Sequence, residues 1–127
     1  MTTRRLLFID DEASIRTIAA ASLQLTRNWK ILTAPSGEEG IAIAQSQPLD
    51  AILLDVKMPK IDGLATLKAL KADSSTQQIP VILLTATVKV ATQYEYAQLG
   101  AKAVIIKPFD PANLANQIET ALNWSTQ

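Results

Sequence analysis

Four apolar residues, Ala51-Ile52-Leu53-Leu54, run without interruption into one carboxylate, Asp55, and Lys57-Met58-Pro59 then turn the chain away. A continuous apolar run of that length reads as a strand covered on both faces, as in the middle of a parallel sheet. Pro59 has no N–H to give to a ladder, so the strand must end before it. Asp55 is thereby placed at the carboxyl end of a central strand, the edge where open α/β sheets form their ligand crevices. Taken alone, such an Asp serves equally well to start a turn. The other strand ends of the chain decide between the two.

The pattern of apolar run, polar end and amphipathic helix repeats. Leu6-Leu7-Phe8-Ile9 ends in Asp10-Asp11-Glu12. Behind it Ile15, Ile18, Ala19, Ser22 and Leu23 share one helix face, with Arg16 and Gln24 off it, and the three acids are expected in the first turn, at the positive end of the helix dipole. Lys30–Ala34 is a weaker strand stopped by Pro35. Ser36 and Glu39 form a capping-box pattern for a helix through Ile41, Ala42 and Ala44, closed by Gln47-Pro48. Gly40 inside that helix costs about 1 kcal/mol against Ala.

After Pro59, Asp62-Gly63 open a helix with Leu64, Leu67 and Leu70 inward and Lys68 and Lys71 outward, followed by the polar loop Asp73-Ser74-Ser75-Thr76. Val81–Leu84 forms a strand ending at Thr85. A helix from about Lys89 to Leu99 follows, with Gly100 as left-handed cap. Tyr94 and Tyr96 in it are two apart, so one is expected in the core and one exposed. Ala103–Ile106 is a strand ending at Lys107-Pro108. Asp110 reads as an N-cap with Pro111 at the first helical position, and Leu114, Ile118, Ala121 and Leu122 give the last helix its apolar face. Trp124 is expected to pack under that helix. Strict alternation of five strands and five helices predicts one α/β domain over residues 1–127, a doubly wound parallel sheet with helices on both faces.

Composition removes several function classes. Twelve basic and twelve acidic residues leave no net charge, which argues against direct nucleic-acid binding or membrane-surface binding. The absence of Cys and His excludes thiol nucleophiles, disulfides, His-ligated zinc and Ser-His-Asp triads. No apolar run approaches the roughly 20 residues that span a bilayer, and the four apolar residues before Asp10 are too few for a signal-peptide core. The chain reads as soluble and cytoplasmic.

A parallel sheet puts all its carboxyl ends on one edge. That edge gathers Asp10 and Asp11, Asp55, Thr85 and Lys107. Two unit charges about 4 Å apart cost roughly 4 kcal/mol at an effective dielectric of 20, so three clustered carboxylates require compensation. Lys107 offers one positive charge. A hard divalent cation offers two, and an oxygen-only donor set suits Mg²⁺. Mg²⁺ takes one or two carboxylates directly, which leaves a carboxylate free as a nucleophile toward phosphorus, giving an acyl phosphate.

On Asp10-Asp11, Asp55 with Met58-Pro59 and Asp62-Gly63, Thr85-Ala86 and Lys107-Pro108-Phe109, the chain resembles a response-regulator receiver domain over essentially its whole length. The resemblance implies the flavodoxin-like receiver fold with strand order 2-1-3-4-5. It implies Asp55 as phosphoacceptor, Mg²⁺ held by Asp11 directly, by Asp10 partly through water, by Asp55 and by the Lys57 backbone carbonyl, and Thr85 and Lys107 on the phosphoryl group. It implies a cis Lys107-Pro108 bond. The partners implied are a histidine kinase or phosphotransfer protein as donor and a downstream protein target. The only chemistry implied is self-phosphorylation and autodephosphorylation at Asp55, not turnover of a separate substrate.

One position departs from the pattern: three residues before Lys107, where many members carry an aromatic or His, stands Val104. Two rival readings, one sharing an Asp nucleophile after a strand and one sharing the topology, are excluded. A haloacid-dehalogenase-type phosphatase needs a second Asp where Lys57 stands, and an FMN module needs a phosphate cradle where Asp10-Asp11 would repel it. The Met1 start carries the expectation of a standalone receiver. The alternatives are a receiver cut from a longer multidomain regulator and an unphosphorylated docking module.

Overall fold

The structure is a computed structural model that describes residues 3–57 and 62–124. Met58 and Pro59 lie outside the described residues. The elements alternate as expected: β1 (Arg5–Ile9), α1 (Ala13–Arg27), β2 (Lys30–Ala34), α2 (Gly37–Ser46), β3 (Ala51–Asp55), α3 (Gly63–Ala72), β4 (Val81–Thr85), α4 (Val90–Gln98), β5 (Ala103–Ile106) and α5 (Leu114–Leu122). All four strand pairings are parallel, in the order β2-β1-β3-β4-β5.

The apolar runs divide their side chains by the two-residue period of a strand. Leu6, Phe8, Leu53, Ile82 and Leu84 face one core with Ala19 and Leu23 of α1 and Leu114 and Ile118 of α5. Leu7, Ile9, Ile52, Leu54, Val81 and Leu83 face the other with Ala44 of α2, Leu67 and Leu70 of α3 and Tyr96 of α4. Both faces of β1, β3 and β4 are therefore dry, which is why these strands read as unbroken apolar runs. Tyr96 is buried and Tyr94 is 66% exposed, as the two-residue spacing predicts. Trp124 packs edge-on against Trp29, ring centroids 5.5 Å apart, with the Arg4 guanidinium over its ring.

Four local expectations are corrected. Asp10, Asp11 and Glu12 precede α1 rather than filling its first turn, and Glu12 occupies the N-cap position without a side-chain cap bond. Ile18 is 45% exposed rather than core. Lys71 does not point outward: its Nζ donates to the Gln77 and Ile79 carbonyls at 3.0 and 2.8 Å, and burial lowers its pKa. Asp110 caps a turn, accepting from the Ala112 N–H at 3.0 Å, and α5 proper begins later, at Leu114. Glu119, within the apolar face of α5, is buried because Arg27 of α1 reaches it with two nitrogens, at 3.0 and 2.9 Å. Ser36 does cap α2, accepting from the Glu39 N–H, and Asp62 caps α3, accepting from the Ala65 N–H.

Two glycines explain how helices come close enough to hold the sheet edge. A Cβ on Gly40 would meet Ile9 Cδ1 at 2.3 Å, so the glycine that weakens α2 locally is what lets it lie against β1. A Cβ on Gly63 would meet the Asp55 carbonyl oxygen at 2.2 Å. That neighbour is backbone and cannot turn aside. Gly63→Ala is therefore expected to destabilise by about 1–3 kcal/mol or more, whereas the Gly40→Ala defect is expected to be partly relieved by Ile9→Val, which deletes the clashing methyl. Urea denaturation of the single and double variants checks both; additive losses for the Gly40–Ile9 pair would refute the contact.

Candidate functional site

Strand register assembles the site. Ile9 lies level with Leu54, Asp55 with Leu84, and Thr85 with Ile106. One residue further on, β1 delivers Asp10 and β5 delivers Lys107 to the same edge. The chain leaves β1 toward β2 and leaves β3 toward β4, in opposite directions along the sheet, so β1 and β3 flank a crevice at their carboxyl ends. Asp10 and Asp55 stand on its two sides.

Asp10 is fully buried, Asp55 is 3% exposed, Thr85 is buried and Asp11 is exposed. One carboxylate oxygen from each of Asp10, Asp11 and Asp55 lies within 4.8 Å of the others. Lys107 Nζ is 3.2 Å from Asp55 Oδ1 and 3.6 Å from Asp10 Oδ2. The Lys107-Pro108 bond is cis, as the resemblance implied. Backbone donors fix the rest: the Glu12 N–H donates to Asp10 Oδ1 at 2.9 Å, the Lys57 N–H to Asp55 Oδ1 at 3.3 Å, and the Thr87 N–H to Thr85 Oγ1 at 3.2 Å. Arg16, which sequence reasoning left off the site, donates to the Asp10 carbonyl at 2.7 Å; its place one turn into α1 after the acidic run was the only available signal.

Among the described residues one ammonium, Lys107, pairs with Asp10 and Asp55 of the three clustered carboxylates, and the balance shows in the protonation equilibria. Burial, then the charge of Asp10, raises the Asp55 pKa above the usual carboxylate range; Lys107 and the Lys57 N–H pull it back only in part. Burial lowers the Lys107 pKa, but Asp10 and Asp55 more than offset it, and the ammonium stays above its ordinary value. Asp10 Oδ2 is buried with no hydrogen-bond donor among the described residues. A buried carboxylate oxygen without a donor is expensive and marks a place for an unseen partner. A hard cation among Asp10, Asp11 and Asp55 fits that oxygen, the excess negative charge and the all-oxygen donor set.

Beside the acids opens a cleft of about 820 Å³, lined by Asp55, Thr85 and Lys107 and walled by Ile15, Ile18 and Phe109. The exposure of Ile18 that broke the expected core pattern is thus a wall of the cleft. No helix among the described residues is long and apolar enough to cross a membrane.

Residues 6–119 match the response regulator receiver domain family. The chain belongs to that family. It is 36% identical over 121 residues to the probable transcriptional regulator ycf27 of Guillardia theta, covering 95% of this chain and 46% of that protein. It therefore spans about half the length of such curated relatives. The structure superposes on the chemotaxis response regulator CheY4 of Vibrio cholerae with a TM-score of 0.88 and 31% identity, covering 94% of this chain and 99% of that one. At 24% identity it shares its fold, with a TM-score of 0.83 over 96% of this chain and 99% of the other, with the receiver domain of a sensor histidine kinase of Pseudomonas aeruginosa PAO1 that carries a magnesium ion coordinated in its active site cleft.

The chain is thus a receiver domain of the two-component kind, a signalling module whose family accepts phosphoryl groups from histidine kinases or phosphotransfer proteins. The expected absence of nucleic-acid contact is not carried to a whole protein, since the longer relatives bear the name of transcriptional regulators.

The raised Asp55 pKa sets a pH dependence. A carboxyl whose folded pKa is raised favours the fold while protonated, below its unfolded value, and that contribution is lost as pH rises through the folded value. Once ionised, Asp55 is a net penalty to the fold. Asp55→Asn is expected to raise the metal-free melting temperature at pH 7 by a few degrees, on the order of 1 kcal/mol, with the gain shrinking toward zero below roughly pH 4. Melts across that range check it; a lower melting temperature for the variant at pH 7 would contradict the crowded-carboxylate account.

Proposed function

We propose that this chain is a phosphorylation-controlled switch in which Asp55 accepts a phosphoryl group from a phosphohistidine of a histidine kinase or phosphotransfer protein. The observation that supports it most is the pairing of a buried Asp55 with Lys107 at 3.2 Å beside the donor-less Asp10 Oδ2. The residues that would hold Mg²⁺ are Asp10, Asp11 and Asp55 with the Lys57 backbone carbonyl. When bound, the ion supplies positive charge against the equatorial phosphoryl oxygens.

The chain's own groups do the rest. An Asp55 carboxylate oxygen forms the new bond to phosphorus as the phosphorus–nitrogen bond of the donor histidine breaks, leaving an acyl phosphate. The Lys107 ammonium, already beside Asp55, pairs with a phosphoryl oxygen. The Thr85 hydroxyl accepts from the Thr87 N–H, so its own proton is free to be donated to another. Attack by water on phosphorus reverses the modification, which keeps the chemistry to self-phosphorylation and autodephosphorylation rather than catalysis on a separate substrate.

The proposed setting is the cytoplasm, with residues 1–127 as one domain acting through a downstream protein target. The chain covers nearly all of CheY4 and about half of ycf27, so a standalone receiver and a module of a longer regulator both stay as settings for this domain. Both use the same site.

Acetyl phosphate with Mg²⁺ is expected to add one phosphoryl mass to the wild type and none to Asp55→Asn. Lys107→Arg, which cannot present the same compact point charge, is expected to fold and to lose phosphorylation-dependent binding to its target. Mass spectrometry decides the first: equal labelling of Asp55→Asn would overturn the assignment. In the same preparations Mg²⁺ at 100 times its dissociation constant is expected to stabilise the wild type by about 2.7 kcal/mol and Asp10→Asn by much less, read by thermal melts.

A further inference from the structure

The chain holds every polar atom of Asp10 but one. Its N–H donates to the Ala34 carbonyl of β2 at 3.1 Å. Its Oδ1 accepts the Glu12 N–H at 2.9 Å, and its carbonyl accepts from the Arg16 guanidinium at 2.7 Å. Only Oδ2 is left without a donor among the described residues, with Lys107 Nζ 3.6 Å away.

Arg16 is the group that ties this turn to α1. Glu12 stands at the N-cap position and makes no side-chain cap bond, so no cap holds the turn to the helix. Arg16 closes it from inside the helix instead. Its main-chain N–H donates to the Glu12 carbonyl at 3.1 Å, and its guanidinium donates to the Asp10 carbonyl. Asp11, which is exposed, lies between these two anchored residues. A bond of that length from a charged donor is at the strong end of the range. It also leaves the acids free: among the described residues the clustered carboxylates pair with Lys107 and not with Arg16. Bonded to a main-chain oxygen, Arg16 orders the turn without occupying an oxygen that a cation needs.

We infer that Arg16 is a positioning residue for the cation site: through the Asp10 carbonyl it fixes the turn that presents Asp10 Oδ2 and Asp11, and so sets how tightly Mg²⁺ is held, without touching the ion. The inference rests on the proposed binding of Mg²⁺ by this acid cluster. Clustered carboxylates repel, so an untied turn relaxes by letting the exposed Asp11 swing away from Asp10 and Asp55. Binding must then gather the acids again, and that cost is subtracted from the affinity. Groups that orient a metal ligand typically carry about 10–100-fold in metal affinity. The sign separates this role from charge alone. A guanidinium near a cation opposes it, so deleting the charge by itself would tighten Mg²⁺ binding. Loss of the tie weakens it.

The test titrates Mg²⁺ into the metal-free chain and follows the amide resonances of Asp11, Glu12, Val56 and Lys57 by NMR. Arg16→Met keeps the stem and loses the donors. Arg16→Ala loses both, at a helical position where Ala is the best helix former. Both variants are expected to keep the wild-type amide pattern of β3, β4 and β5 and to bind Mg²⁺ about tenfold more weakly. Arg16→Lys, which keeps a charge and a donor on a long stem, is expected to recover most of the loss.

Mg²⁺ affinity in Arg16→Met and Arg16→Ala equal to or tighter than that of the wild type would overturn the inference, leaving Arg16 as a tie that serves only the stability of α1 or as a charge that opposes the ion. Affinity in Arg16→Lys no tighter than in Arg16→Met would overturn it too. A wild type without Mg²⁺-dependent shifts at these amides would instead overturn the proposed metal site, and this inference with it.

Discussion

Two carboxylates, Asp10 and Asp55, lose nearly all contact with water at the ends of adjacent strands, with a third, Asp11, close by and one lysine between them. Like charges drawn this close repel by several kcal/mol unless something offsets them. Nothing in folding demands the arrangement: Asn at either position would pack as well. The fold tolerates it because the parallel register of β1, β3, β4 and β5 is fixed by apolar runs covered on both faces, far more strongly than the acids can push it apart. Burial stores the tension in the Asp55 ionisation and in the donor-less Asp10 oxygen.

That tension is what gives the site its chemistry. A carboxylate poorly solvated by water and incompletely paired with Lys107 suits both proposed roles, ligand for a hard cation and nucleophile. Adding a phosphoryl group to Asp55 removes one acid and brings a new dianion, so the charges around Lys107 and Thr85 must be redistributed. Gly63, pressed against the Asp55 carbonyl, keeps β3 from yielding, and the ties between α1 and α5 keep that face from yielding.

The sheet and the site were legible in the sequence for one reason: apolar runs ending in polar residues fix both the strands and what their ends carry. Asp55, Asp10, Thr85 and Lys107 follow from that pattern without any long-range contact being known. What was not legible depends on side-chain reach. Lys71 reads as a surface lysine by spacing, yet its long stem lets it close two carbonyls of the following loop. Glu119 looks misplaced in an apolar face until Arg27 is found across the helix pair, 92 residues away in sequence. Ile18 fits the core period of α1 but lines the cleft instead. Asp110 carries a capping signal that a turn uses first, delaying α5 to Leu114.

The central claim is that the carboxyl edge between β1 and β3 is a cation-binding acid cluster. Paramagnetic broadening of amide resonances by substoichiometric Mn²⁺ tests it most directly, because the effect falls steeply with distance from the ion. The amides of Asp11, Glu12, Val56 and Lys57 are expected to broaden first, with those of Trp29, Asp50 and Trp124, at or beyond the opposite ends of the strands, staying sharp. Uniform broadening, or broadening centred on any other acidic group, would contradict the account.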